Sequence, residues 1–133
     1  MKYLFIHLFF LGCSTSPLNH PLIVSTSACM MGCPYYTFTL QPDYQYTLAN
    51  HSNKKTHNDT LNTDQINELN NLLQPLASLQ LEKTYGKQRA WDLQQIHLVY
   101  NRKKTTIYGR QFTPKPIKHL LAWVEELIKE RPK

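Results

Sequence analysis

Glycine and cysteine are both scarce in this chain, with four and three residues among 133. The glycines stand alone and build neither a phosphate-cradling loop nor the elbow that presents a nucleophilic serine, which removes two large classes of enzyme. No paired-carboxylate signature appears. The longest apolar run, Tyr3 to Leu11, falls far short of the roughly 20 residues that cross a bilayer as a helix. Repeats of solenoid period and low-complexity tracts are missing too. His20, His51, His57, His97 and His119 are scattered along the chain. Asp92 and His97 lie close in sequence but make no catalytic constellation, because His97 alternates within a strand pattern.

What is present describes one small domain. A hydrophobic share of 41% with 18% charged residues is the balance of a folded chain, not a disordered one. Fifteen Lys and Arg against nine Asp and Glu leave a net charge of +6, which favours anionic neighbours.

The start, MKYLFIHLFFLGCS, has the layout of an export signal: a basic residue at Lys2, a short apolar region, then small residues. Phe10-Leu11-Gly12-Cys13 resembles the lipobox of bacterial lipoproteins. That resemblance implies removal of residues 1–12, acylation of Cys13 by diacylglycerol and palmitate, and a lipid anchor in the envelope, at the outer membrane facing the periplasm. Cleavage after Thr26-Ser27-Ala28, giving a soluble secreted form, is the alternative. Loss of residues 1–12 removes only one cation, so the exported part stays basic. Outside the cytoplasm its anionic partners are membrane lipid, lipopolysaccharide or other acidic glycan, or an envelope protein, and not nucleic acid.

Residues 13–21 read as anchor and tether, polar and proline-punctuated, ahead of a domain over 22–131. Leu22-Ile23-Val24 suits a first strand. Tyr36, Phe38 and Leu40 alternate with threonines, Pro42-Asp43 supplies a turn, and Tyr44, Tyr46 and Leu48 alternate again, which predicts a hairpin. The polar stretch NHSNKKTHND is expected to be an exposed loop. Asn62 offers an N-cap with Gln65 three residues on, ahead of Ile66, Leu69, Leu72, Leu73 and Leu76 at helical spacing. Pro75 is expected to stop or kink that helix near Gln74 and to open a separate turn. A second hairpin is predicted around Asn101-Arg102-Lys103. A closing helix carries the apolar stripe Ile117, Leu120, Leu121, Val124, Leu127 and Ile128, with Lys118, Glu125, Glu126 and Lys129 on the solvent side. The order β-ββ-α-ββ-α predicts an α+β, two-layer domain: an antiparallel sheet of two hairpins plus a first strand, with two helices on one face.

The chemistry concentrates in Cys29-Met30-Met31-Gly32-Cys33. In an oxidising compartment Cys29 and Cys33 can close a disulfide, with Gly32 relieving the tight ring. The chain-entropy model assigns so short a ring about 2 kcal/mol. The alternative is a copper- or thiol-handling site, in which the soft ligands Cys29, Met30, Met31 and Cys33 take Cu(I). A redox-active cysteine would be expected at a helix N-terminus, and the pattern after Cys33 is a strand. Arg102, Lys103 and Lys104 form a basic hairpin tip that could meet an anionic surface. Tyr35, Tyr44, Tyr46, Tyr100 and Tyr108 could line one sheet face used for binding. No catalytic residue and no cofactor is assigned, and the chain reads as a non-enzymatic binding or scaffolding module.

Beyond these features, the chain resembles a family of bacterial envelope proteins, a domain of unknown function marked by C-x-G-x-C-P-x-Y. The matching residues are Cys29, Cys33, Pro34 and Tyr36, then Asp43, Tyr46, Asn62 to Gln65, Tyr85 and Asp92. Glycine sits one place late, as Gly32, and Ser25, Thr26 and Ser27 stand where the family carries a basic residue. The resemblance covers Leu22 to Ile128 and implies a fold and an envelope location, without a reaction.

Overall fold

The first strand pairs on both of its edges, and the sheet grows outward from it. The computed structural model describes residues 18–30, 32–81, 83–87 and 93–130. Strand β1 (Leu22–Thr26) runs antiparallel to β2 (Tyr36–Leu40) on one side and to β6 (Gln95–Tyr100) on the other. Strand β3 (Gln45–Asn50) follows β2, and β4 (Lys55–Thr60) closes that edge. Strand β7 (Lys103–Tyr108) returns along β6, and β5 (Thr84–Tyr85) lies parallel to β7 at the far edge. The sheet order is β4-β3-β2-β1-β6-β7-β5. Two helices, α1 (Thr63–Leu76) and α2 (Lys115–Lys129), complete an α+β fold.

Alternation places every second strand residue in one core. Val24, Phe38, Leu48, Leu98 and Ile107 are buried from the sheet, and Leu69, Leu73, Leu120 and Val124 from the helices, all within one cluster. Phe38 meets Trp123 edge-on, with ring centroids 6.0 Å apart. Each fully buried side chain of this kind contributes roughly 1.5–3 kcal/mol. Leu18 is only 1% exposed and joins the same cluster, so packing begins inside the stretch read as a tether.

Both expected hairpins form. At the first, Tyr44 N–H donates to Gln41 O at 2.9 Å and Gln45 N–H to Asp43 Oδ1 at 3.1 Å, with Tyr44 at φ 66. At the second, the turn is Asn101-Arg102, with φ 51 and 65, the left-handed pair of a type I′ turn. Lys103 already belongs to β7.

Two local expectations are corrected. The stretch taken as a loop contains β4, whose side chains are almost all exposed and whose pattern therefore carries no apolar alternation. Backbone pairing to β3 holds it, with Thr47 Oγ1 donating to Asn58 Oδ1 at 2.7 Å. Strand β5 adds a parallel pair to β7 in a segment whose sequence has no clear period. Gly86 sits at φ 75 with the Tyr108 carbonyl oxygen 2.6 Å from where a Cβ would stand, so the site is closed to larger residues. Helix α1 runs through Pro75 to Leu76, and its end is tightened by Ala77 N–H to Gln74 O and Ser78 N–H to Pro75 O. A proline in the last turn forfeits one hydrogen bond without breaking the helix ahead of it.

The caps match the sequence. Asn62 Oδ1 accepts from Gln65 N–H at 2.8 Å while Gln65 Oε1 accepts from Asn62 N–H at 2.9 Å. In α2, Ile117, Leu120, Leu121, Val124 and Leu127 are buried as the stripe predicts.

A non-glycine residue in the left-handed region costs about 1–2 kcal/mol, and arginine at the second turn position is the less suited of the two. Arg102→Gly is therefore expected to stabilise the fold by roughly 1 kcal/mol in urea denaturation, after glycine's greater chain entropy is allowed for. A loss of stability would contradict the turn assignment.

Candidate functional site

The ends of β1, β2 and β6 meet beside the cysteine loop, and a buried hydrogen-bond network is built there. Cys29 and Cys33 are joined as a disulfide with Cα atoms 5.6 Å apart, and Cys33 N–H donates to Cys29 Sγ at 3.1 Å. Met30 is 70% exposed at the tip of the ring. Met31 lies outside the described residues, as do Cys13 and Asp92.

Immediately after the ring, the Pro34 carbonyl oxygen accepts two short bonds, from Thr26 Oγ1 and from Gln94 Nε2, both at 2.7 Å. Thr26 Oγ1 in turn accepts from Tyr36 N–H at 3.1 Å. Gln94 Nε2 also donates to Ser27 O at 2.9 Å, and Gln94 Oε1 accepts from Arg110 Nε at 2.6 Å. Arg110 then reaches α2, with Nη2 2.7 Å from Glu125 Oε1. Thr26 and Gln94 are both 4% exposed, so these bonds are shielded from water and partnering is obligatory.

Tyr36 is fully buried, and its hydroxyl lies against the Glu125 carboxylate, to which it can donate. Burial first, then the negative charge of Glu125, push that hydroxyl well above the ordinary tyrosine value, against the opposing pull of Arg110. The run Cys33-Pro34-Tyr35-Tyr36 thus supplies a brace, a double acceptor and a core anchor.

Gln94, Arg110 and Glu125 were not singled out by the sequence. Glu125 was expected on the solvent side of α2, but its side chain is only 15% exposed and is drawn to Arg110. It flanks the apolar stripe at Leu121 and Val124, and a carboxylate at such a border turns inward when a guanidinium is waiting. The one signal in the sequence was this border position.

The basic tip does not converge. Arg102, Lys103 and Lys104 are all exposed, yet Lys103 pairs with Tyr100 on the helix-side face and Lys104 with Val99 on the opposite face. The tyrosines do not share a face either. Tyr46 and Tyr100 are buried in the core, Tyr35 is exposed against His51, and Tyr108 lies on the uncovered side of the sheet. Burial and then Lys104 lower the pKa of His97, which sits on that uncovered side with its Nδ1 3.4 Å from Thr106 Oγ1. Among the described residues no three His, Cys, Asp or Glu side chains cluster to hold a metal ion, and no helix is long and apolar enough to cross a membrane.

On the outer flank of α2, a groove of about 380 Å³ opens between that helix and the turn of 3-10 helix at Arg110–Phe112. Arg110, Thr113, Lys118, Leu121, Ala122 and Glu125 line it. Its inner wall is the ion pair that ends the buried network.

Taken together, the sheet order, the one-sided helices and the braced β1–β2 connection define a small α+β domain stabilised by a disulfide. The chain belongs to the family described as Domain of unknown function (DUF6438), which matches residues 21–128. Comparison with curated proteins yields no match.

The raised Tyr36 pKa sets a pH dependence. Above the ordinary tyrosine value of about 10 the unfolded chain sheds this proton while the folded chain keeps it, so stability falls as pH rises. Tyr36→Phe should cost about 1 kcal/mol at neutral pH, the typical worth of the hydroxyl's interaction with Glu125. It should also flatten the decline above pH 10. Parallel declines for both proteins in denaturation curves would contradict the burial of that hydroxyl.

Proposed function

We propose that the protein is an exported, lipid-anchored protein of the cell envelope whose folded domain is a non-enzymatic binding or scaffolding module. The reading places the anchor at Cys13, on the outer membrane facing the periplasm. The observation that carries it is the disulfide and what lies beyond it. Cys29 and Cys33 are oxidised to one another, and the residues that follow are committed to the buried network through Pro34 and Tyr36. Oxidised structural cysteines belong to oxidising compartments. That supports the export signal in the first twelve residues and the lipobox-like Phe10-Leu11-Gly12-Cys13. The same reading takes Cys29, Cys33, Pro34 and Tyr36 as the mark of the family, kept for folding and not for reaction. Its partners are the membrane through the anchor and an envelope protein, acidic glycan or lipid through the basic surface.

Intact mass spectrometry of protein extracted from its native membrane tests this reading. The expected product begins at Cys13, carries a diacylglycerol adduct with a further acyl chain, and is two mass units light from the Cys29–Cys33 bond. Cys13→Ser should release the protein from the membrane fraction. A free N-terminus at residue 29 refutes the anchor.

One observation favours a second reading, in which the ring handles copper or thiols. Met30 presents its thioether to solvent beside the two sulfurs, and reduced Cys29 and Cys33 with Met30 would form a soft donor set. Titration of the reduced protein with Cu(I) distinguishes the two. Stoichiometric binding that Cys29→Ser abolishes would favour the copper role, and binding indifferent to that change would end it.

A further inference from the structure

We propose that the β4 edge of the sheet pairs with the β4 edge of a second copy of this chain. Strand β4 is outermost on its side of the sheet, with no neighbour beyond it among the described residues. One bond at the strand end sets the phase of its backbone. Leu61 N–H donates to Tyr44 O, and alternation then turns the amides and carbonyls of Lys55, His57 and Asp59 toward β3. Those of Thr56, Asn58 and Thr60 point outward, and of these the Thr60 N–H is already taken by Asp59 Oδ1 at 2.8 Å. Outward amides and carbonyls on an edge are a template for another strand.

The usual protections are missing from this edge. Six consecutive residue pairs join β4 to β3, so no bulge twists it away, and the strand contains no proline. Lys55 and Asp59, on the helix-side face, are exposed, so neither helix covers them. The opposite edge differs. Strand β5 is two residues long and runs into Gly86, whose φ of 75 leaves strand geometry. Association through the edges therefore stops at two copies instead of growing into a fibre.

A second copy is the occupant because β4 is complementary to itself. Antiparallel strands set side by side by a two-fold axis share one face of the joint sheet, so odd-numbered residues lie opposite odd-numbered ones. With the axis at His57, Thr56 and Asn58 of each copy exchange backbone bonds with Asn58 and Thr56 of the other, and the occupied Thr60 amide is not needed. Lys55 then lies directly opposite Asp59 of the second copy, twice by symmetry. An edge lysine ordinarily discourages pairing, and here each one meets a carboxylate. On the uncovered face Thr56 lies opposite Asn58, whose Oδ1 is held by Thr47 and whose amide nitrogen is placed to meet the Thr56 hydroxyl. An axis at Asn58 would set Lys55 against Leu61 and require the Thr60 amide. An axis at Thr56 would set Lys55 against His57. Only the His57 register matches the charges.

The pairing does not depend on the export reading, and its failure would leave that reading standing. Sedimentation equilibrium of the purified full chain over a concentration series should show monomer and dimer in equilibrium. Asp59→Lys and Lys55→Asp, both at exposed positions, should each weaken the dimer about tenfold, because each turns two attractive pairs into repulsive ones. The two changes together should restore it, since the charges again match. His57→Cys tests the register. Opposite residues at such a position stand with Cα atoms about 4.5 Å apart, within reach of a disulfide, so mild oxidation should give covalent dimer beyond any formed by the parent chain. If Asp59→Lys disturbs the entry to α1, Lys55→Asp and His57→Cys carry the comparison. The proposal is overturned if the parent stays monomeric, if the charge reversals leave association unchanged, or if His57→Cys yields no added covalent dimer.

Discussion

The carboxamide of Gln94 is the constraint on which this end of the molecule depends. Its nitrogen donates to the carbonyl oxygens of Ser27 and Pro34, and its oxygen accepts from Arg110. Those partners sit on either side of the cysteine loop and at the entry to α2, so one buried side chain ties β1, β2, β6 and the second helix together. At 4% exposure it has no water to fall back on. Removing any partner would strand a buried polar group, at a cost of about 1–3 kcal/mol.

The cysteine loop takes its meaning from that clamp. A ring of five residues constrains the unfolded chain only modestly. Its larger consequence is positional: the disulfide holds the loop closed so that Pro34 arrives with its carbonyl oxygen aimed at Thr26 and Gln94. From there Tyr36 is carried into the core and the pairing of β2 with β1 begins near Ser25↔Thr37. The Arg110–Glu125 pair continues the same network to the wall of the groove beside α2.

Much of the fold was legible because its signals are local. The Asn62–Gln65 capping box, the stripe from Ile117 to Leu127 and the alternation from Tyr36 to Leu40 each follow from the period of one element. Strand β4 was illegible for the converse reason. An edge strand with both faces wet carries no alternation, and only the carbonyls and amides of β3 hold it in place. Pro75 misled because its effect depends on how near it falls to the helix end. Of the site, the sulfur pair could be read from its spacing, whereas Gln94, Arg110 and Glu125 are ordinary polar residues until the fold brings them together.

By itself the sequence determined both helices and the strands with an apolar face, which of their faces turn inward, and that two cysteines four places apart can bridge. Those follow from side-chain period, capping chemistry and the reach of a short ring. The tertiary structure alone decided which polar groups meet. Gln94 and Pro34 are 60 residues apart in the chain, and no local pattern links them. Burial leaves Gln94 only the partners that the sheet order brings alongside, and the sheet order is a property of the whole chain.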